Sequence, residues 1–305
     1  MDIRQLQYLA ALARERHFTR AARSCQVTQP TLSERIRQLE LELDVAIVER
    51  GQRFHGFTPE GERVLKWAQV ILDNWASLRQ EIAAIKDEGT RVTGRLTLGV
   101  IPSALPIAAS LVAAIRGTHP GVDAVVLSAT SEEIVRQLED YSIDAGISYL
   151  DNEAIDGLVA APLYRESYAL FVRDDHDLAG RATVSWAEAA AHPLALLTPN
   201  MQNRRIIDRA FQSADARPRA HVESNSLINL CASVRETGLA TVLPEYVART
   251  LSMDGISAIP LTDPGVAHTV GILAIDRKPM PPMVAMALET ALTLDLTPKS
   301  SVTAS

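Results

Sequence analysis

At 305 residues the chain is too long for one ordinary core and reads as two or three domains, with the 47% hydrophobic and 22% charged residues of a water-soluble globular protein. No run approaches the roughly 20 apolar residues that span a bilayer, and Met1-Asp2-Ile3-Arg4-Gln5 lacks the basic-then-apolar order of a secretion signal. Two lone cysteines, Cys25 and Cys231, make neither a metal cluster nor a disulfide framework, so a cytoplasmic protein without membrane contact is expected. The net charge of −7 does not exclude nucleic acid, because the acid is unevenly spread: residues 1–66 carry eleven Lys/Arg against nine Asp/Glu.

Leu6, Leu9 and Ala13 recur at helical spacing and predict an amphipathic helix over 3–14. Phe18 and Thr19 read as a hydrophobic staple and N-cap opening a short second helix through Ala21 and Ala22. A third start follows at Thr28, with Pro30 in the first turn, where a missing N–H costs nothing. Leu32, Ile36, Leu39 and Leu43 then mark one buried stripe. The same helix leaves Gln29, Thr31, Ser33 and Glu34 outside near its start, with Arg35 and Arg37 close behind. Short polar groups there suit major-groove base edges, and the arginines suit phosphates. Arg50, Arg53 and His55, ahead of Gly56-Phe57-Thr58-Pro59, fit a hairpin wing beside the groove. Periodicity alone fits equally well a three-helix scaffold with a solvated polar face.

Residues 59–88 form one helical pattern, roughly 45 Å long at 1.5 Å per residue. Val64, Ala68, Ile71, Trp75, Leu78, Ile82 and Ile85 fall on an a/d seam, the pattern for pairing with another helix. Packing on the helix's own domain is the alternative. A second copy explains better a helix this long with Trp75 on its seam.

From about residue 92 strand-like and helical runs alternate, as in Arg95–Val100, 104–116 and Ala124–Leu127, which implies βαβ units and a parallel sheet covered by helices. The seven histidines lie apart, without metal-ligand spacing, and no phosphate loop, nucleophile elbow or dinucleotide fingerprint occurs, so neither an enzyme, a metal nor a cofactor is expected. Small polar residues follow strand ends at Pro102-Ser103, Ala129-Thr130-Ser131-Glu132, Leu197-Thr198-Pro199-Asn200 and Glu223-Ser224-Asn225-Ser226, where helix N-termini offer free N–H groups to anions. Each Ser or Thr alone is better explained as a helix cap; four in one α/β body suggest a shared cleft. Arg204 is the candidate partner for a carboxylate or oxyanion there.

Phe18-Thr19-Arg20-Ala21-Ala22, Val27–Ser33, Ile36–Glu40 and Phe57-Thr58-Pro59-Glu60-Gly61 resemble, in order and spacing, the DNA-binding head of LysR-type transcriptional regulators. Gly94–Gly99, Ser131–Ile134, Ile143–Ile147 and Gly238–Pro244 look like that family's effector domain. The resemblance implies an all-α winged helix-turn-helix (1–58) and a dimerising linker helix (59–91). It implies an α/β effector domain (92–298) like the type 2 periplasmic binding proteins, with lobes 92–166 plus 267–298 and 167–266, and a tail at 299–305. It further implies base contacts from Gln29, Pro30 and Ser33, and backbone contacts from Thr31, Arg35, Arg37 and Arg53. A pocket is implied at Ser103, Thr130 and Thr198. The implied partners are double-stranded DNA, a small effector, a second or fourth copy of the chain and RNA polymerase. Glu34, at an often basic position, and the unusual wing 51–56 depart from the family pattern and bear on which operator is read. A solute-binding module for transport and an enzyme fused to a regulatory head are the rivals. The first conflicts with the attached head, the second with the absent nucleophile or cofactor lysine.

Overall fold

Asp2 begins the first helix by a reciprocal cap: its carboxylate accepts the Gln5 N–H at 2.9 Å, and the Gln5 side-chain oxygen accepts the Asp2 N–H at 2.6 Å. The computed structural model describes residues 1–49, 54–86, 92–151, 156–250, 253–294 and 296. They divide into two compact units, Met1–Arg91 with Glu139–Ser142, and Val92–Leu138 with Ile143–Ser305.

The first unit holds α1 (Ile3–Glu15), α2 (Phe18–Ser24), α3 (Gln29–Leu43) and α4 (Pro59–Lys86). Leu6, Leu9, Leu12, Ala21, Ala22, Leu32, Ile36, Leu39, Ile47 and Ala68 are buried at its centre. Two local expectations are corrected. His17, not Thr19, caps α2, its ring nitrogen accepting the Thr19 N–H at 3.2 Å, which makes Phe18 the first helical residue. Leu43 is 40% exposed, because the chain leaves α3 through Asp44 in the left-handed region (φ 52°) and Ile47 fills the core in its place. Val48 and Phe57 pair antiparallel at the base of a hairpin, with the Glu49 N–H donating to Gly56 O at 3.1 Å. Gly61, in the first turn of α4, lets that helix lie directly on this segment: a Cβ there would stand 2.0 Å from the Ile47 carbonyl oxygen.

In the second unit β2 (Val122–Ser128), β1 (Gly94–Val100) and β3 (Ala145–Tyr149) run parallel, with α5 (Leu105–Thr118) and α6 (Ser131–Glu139) as crossovers. The sheet continues through β10 (Ala267–Ile275), β4 (Leu158–Arg173), β8 (Ala240–Pro244), β6 (Leu194–Leu197) and β7 (Ala220–Ser224). β9 (Ile256–Thr262) joins β4 and the short β5 (Val184–Ser185). The expected parallel sheet is therefore mixed: β10 runs antiparallel to β3 and β4, and β4 antiparallel to β8 and β9. β4 changes partners midway. Ser167 still pairs with Ala267 on β10, whereas Tyr168 pairs with Pro244 on β8. One strand is thus shared by two lobes. α11 (Pro282–Thr293) packs with the first lobe, and α7 (Trp186–Ala190), α8 (Gln202–Ser213), α9 (Leu227–Thr237) and α10 (Glu245–Thr250) belong to the second. One apolar core runs from Leu96 and Leu111 of the first lobe to Trp186 and Phe211 of the second, and a smaller one, around Phe171 and Leu230, lies within the second lobe.

Candidate functional site

α3 owes its position to Thr28, whose hydroxyl accepts the Thr31 N–H at 3.4 Å, and to the buried stripe Leu32, Ile36 and Leu39. That stripe turns Gln29, Pro30, Thr31, Glu34, Arg35 and Arg37 outward, with Ser33 half-buried. Gln29 Nε2 donates to Ser33 Oγ at 2.9 Å, so these two polar side chains, one turn apart, form a single exposed patch. Arg35 spans toward Gln38 (3.4 Å) and Asp2 (3.6 Å), both contacts at the surface and weak enough to exchange for a phosphate. Arg53, with Arg50, lies outside the described residues. The base of the wing is held by a residue that sequence reasoning passed over: Glu40 Oε1 accepts the N–H groups of Ile47 (2.7 Å) and Val48 (3.0 Å), pinning the strand before the wing against α3.

The a/d seam of α4 divides. Val64, Ala68 and Ile71 pack with Leu6, Leu9, Leu39 and Ile47, so this half serves the head's own core. The reason is reach, since the α4 residues packed in this cluster end at Leu72. Beyond it Trp75, Leu78 and Ile82 stand 44%, 48% and 45% exposed on the same face. Ile85 continues the seam in sequence, but its side chain lies outside the described residues.

In the second unit a carboxyl sits where the lobes meet. Glu166, on β4 and 1% exposed, accepts hydroxyl donors from Tyr149, from Tyr164 (2.8 Å) and from Tyr168 (3.1 Å), and the Asn203 side-chain amide at 3.3 Å. Asn203 Nδ2 also donates to Tyr149 Oη at 2.8 Å, which ties α8 of one lobe to β3 of the other. Burial pushes the Glu166 carboxyl up from its ordinary range, against the opposing pull of the hydroxyl donors. Burial and the neighbouring Glu166 push the Tyr149 hydroxyl well up. Tyr164, Glu166 and Tyr168 alternate along one strand, so the signal was a period-2 polar face inside an apolar run.

Of the expected pocket residues, Ser103 touches this cluster. Ser103, 2% exposed, lies 3.5 Å from Tyr149 Oη. Thr130 acts as the cap of α6, exchanging bonds with Glu133, so for this residue the helix-cap alternative describes the geometry. Thr198 and the neighbouring Ser131 bury hydroxyl oxygens without a partner, as does Asn203 its Oδ1. Each such atom costs free energy unless something fills it. Arg204 departs from its expected role as an open anion partner. Its guanidinium is spent on Asp208 (2.8 Å), Glu223 (2.8 Å) and Leu197 O (2.6 Å). Burial opposes its charge, but the two carboxylates outweigh this and hold its pKa above the usual value. Arg205 donates to Glu132 at 3.2 Å, a second tie between the lobes. Among the described residues no group of three or more His, Cys, Asp or Glu is placed to hold a metal, and no helix is long and apolar enough to cross a membrane.

A three-helix head with a wing, followed by a two-lobed α/β body, is also what family comparison finds. Residues 3–62 match the model of the bacterial regulatory helix-turn-helix protein, lysR family, and residues 89–293 match the LysR substrate binding domain. The chain belongs to the LysR family of bacterial transcription regulators. As a LysR-type regulator it is a DNA-binding protein with an effector-binding domain, not an enzyme. It is 31% identical over 286 residues to the DNA-binding transcriptional dual regulator OxyR of Escherichia coli K12, covering 92% of this chain and 91% of that protein. It is also 31% identical over 287 residues to the hydrogen peroxide-inducible genes activator of Pectobacterium carotovorum, at 92% of each. Among solved structures, a full-length cysteine-to-aspartate variant of OxyR from Pseudomonas aeruginosa superimposes with a TM-score of 0.77 at 24% identity, over 97% of this chain and 99% of that one. CbnR complexed with its target DNA gives 0.69 at 21% identity, over 97% and 100%. These two likenesses establish the fold.

Proposed function

We propose that this LysR-type regulator reads its operator through Gln29, Pro30 and Ser33, holds the DNA backbone through Thr31, Arg35, Arg37 and Arg53, and senses a small anion where the two lobes meet. The functional division is a head over 1–58, a linker helix over 59–91, an effector domain over 92–298 and a tail at 299–305. The lobes within the effector domain are 92–166 plus 267–298, and 167–266. Pairing uses the seam from Val64 to Ile85. Its exposed part, Trp75, Leu78 and Ile82, does the joining of a homodimer, which can assemble further to a tetramer. The regulator acts in the cytoplasm, with RNA polymerase as its partner at the promoter.

The observation that carries the DNA reading is the Gln29–Ser33 patch, polar, exposed and at the N-terminal end of the second helix of a helix-turn-helix. For the effector it is the set of hydroxyl and amide donors gathered on Glu166 where the lobes meet. A peroxide-reactive thiol, which the relatives' names bring to mind, finds no support in this effector domain. Its one cysteine, Cys231, is half-buried on α9, and burial pushes the thiol up, away from the reactive thiolate.

The test is a binding series with the full chain on its own promoter DNA. Gln29→Ala with Ser33→Ala removes two base readers, each about 1–3 kcal/mol of discrimination. Specific binding is expected to fall to the non-specific level while sedimentation still reports the wild-type oligomer. Unchanged footprints in the double variant would rule out α3 as the reading helix.

A further inference from the structure

Resting on the reading of the cleft as an anion sensor, we infer that Glu166 is the internal stand-in for the effector: a small carboxylate enters together with one proton, which Glu166 takes up, and captures the donors that Glu166 releases. The difficulty this resolves is one of charge. An anion placed beside a buried carboxylate meets repulsion in a low-dielectric site, and Arg204 and Arg205 are both tied to carboxylates of the protein.

The donors an anion needs are nonetheless present. Tyr149, Tyr168 and Asn203 all point their hydrogens at Glu166 Oε1, and Tyr164 points its own at Oε2. Four donors on one carboxyl are more than a neutral acid requires. Once protonated, Glu166 becomes a donor itself, and the hydroxyls of Tyr149 and Tyr168 are free to turn to a second acceptor. Burial has already moved the carboxyl toward its neutral form. The orientation of Asn203 is fixed by the same chemistry, because its carbonyl oxygen cannot face a carboxylate. Its Oδ1 therefore looks away from Glu166, buried and unpartnered, and leaves Nδ2 as the group that donates into the cluster.

The groups that face Glu166 are hydrogen-bonding and uncharged: Tyr149 from β3, Tyr164 and Tyr168 from β4, Ser103 after β1 and Asn203 from α8. Behind them stand Tyr246 of α10, 5.7 Å from Tyr164, and His268 of β10, edge-on to Tyr149 at 6.2 Å and 3.8 Å from Asp151. Burial first, and Arg209 after it, lower the pKa of His268, so His268 titrates on the acid side of its ordinary range. Arg205 and Glu132 form a charged pair elsewhere between the lobes. On the alkaline side, where Glu166 starts as a carboxylate, each anion bound brings in one proton and apparent affinity falls with rising pH. On the acid side Glu166 is already neutral and the dependence levels off.

The experiment is calorimetric titration of the full chain with sodium acetate, at pH 5.5 to 9, in buffers of different ionisation enthalpy. Wild type is expected to take up close to one proton per acetate at alkaline pH, with apparent Kd rising about tenfold per pH unit. Glu166→Gln, permanently neutral, is expected to bind acetate with a flat pH profile and more tightly than wild type at pH 9. Acetate binding without proton uptake in wild type, or with the same pH profile in both proteins, overturns the inference while leaving the anion reading intact. No heat and no thermal stabilisation by acetate, lactate, succinate or inorganic phosphate overturns both. Should Glu166→Gln fail to fold by circular dichroism, the proton count in wild type decides alone.

Discussion

Glu40 offers a sharp test of how the wing is attached. Its Oε1 accepts from both Ile47 (2.7 Å) and Val48 (3.0 Å), and Ile47 is fully buried. A hydrogen bond to a charged group contributes about 1.5–3 kcal/mol, and removing the acceptor strands its donors. For Glu40→Ala the pair, discounted because the carboxyl is only half-buried, amounts to about 3 kcal/mol. That is on the order of a hundredfold in the local opening equilibrium of the segment. Glu40→Gln separates charge from geometry. Both bonds land on one oxygen, and an amide carbonyl retains two lone pairs, so only the charge assistance is lost, about 1 kcal/mol or fivefold. Hydrogen exchange at the Ile47 and Val48 amides of the full chain reads both numbers directly. Equal exchange in the two variants, or wild-type protection in Glu40→Ala, would refute this account of the wing.

Two further outcomes follow from the packing. Gly61→Ala puts a Cβ 2.0 Å from a backbone oxygen that cannot rotate away, so a loss of about 3 kcal/mol or more is expected. Calorimetry should show it as a lower first unfolding transition, and a wild-type trace would contradict the close approach. Leu78→Asp and Ile82→Asp place charges on the exposed half of the seam and are expected to give monomers by sedimentation with unchanged helical content. Ala68→Asp, on the buried half, should instead unfold the head. Identical behaviour of all three would mean that the seam does not divide.

Much of the head was legible because helix starts and stripes are local. Thr28, Pro30 and the spacing of Leu32, Ile36 and Leu39 place α3 without any knowledge of neighbours. What was missed lies at longer range. Glu40 looks like any exposed helical glutamate until Ile47 and Val48 are folded back on it seven and eight residues later. Leu43 kept the period of the stripe but fell past the end of the core, which periodicity cannot reveal. In the body, alternation located β1 and β2, but strand direction leaves no mark in composition, so the expected parallel sheet took no account of the antiparallel β10 and β4. The small-residue rule led to Ser103, which lies 3.5 Å from Tyr149 Oη, and to Thr198, whose hydroxyl is buried without a partner, and overvalued Arg204, whose carboxylate partner Glu223 lies 19 residues away. Glu166 was hidden because a single acid among tyrosines and aliphatics reads as the polar side of a half-exposed strand. Contacts from both lobes, Tyr149 of β3 and Asn203 of α8 among them, make it interior.

The divided face of α4 also sets a phase. The turns carrying Val64, Ala68 and Ile71 are locked into the head, and those carrying Trp75, Leu78 and Ile82 present the same side of the same helix. In a dimer joined there, the angular setting of each recognition helix about the dyad is transmitted by the rigid count of residues between the two halves. One residue inserted between Ile71 and Trp75 turns the joining face by about 100° relative to the head. Each head would keep its fold and its base contacts, yet the pair would no longer meet two half-sites on the same side of the duplex. The spacing of the operator is in this sense written as a rotation, in the few residues where a core position gives way to a contact position.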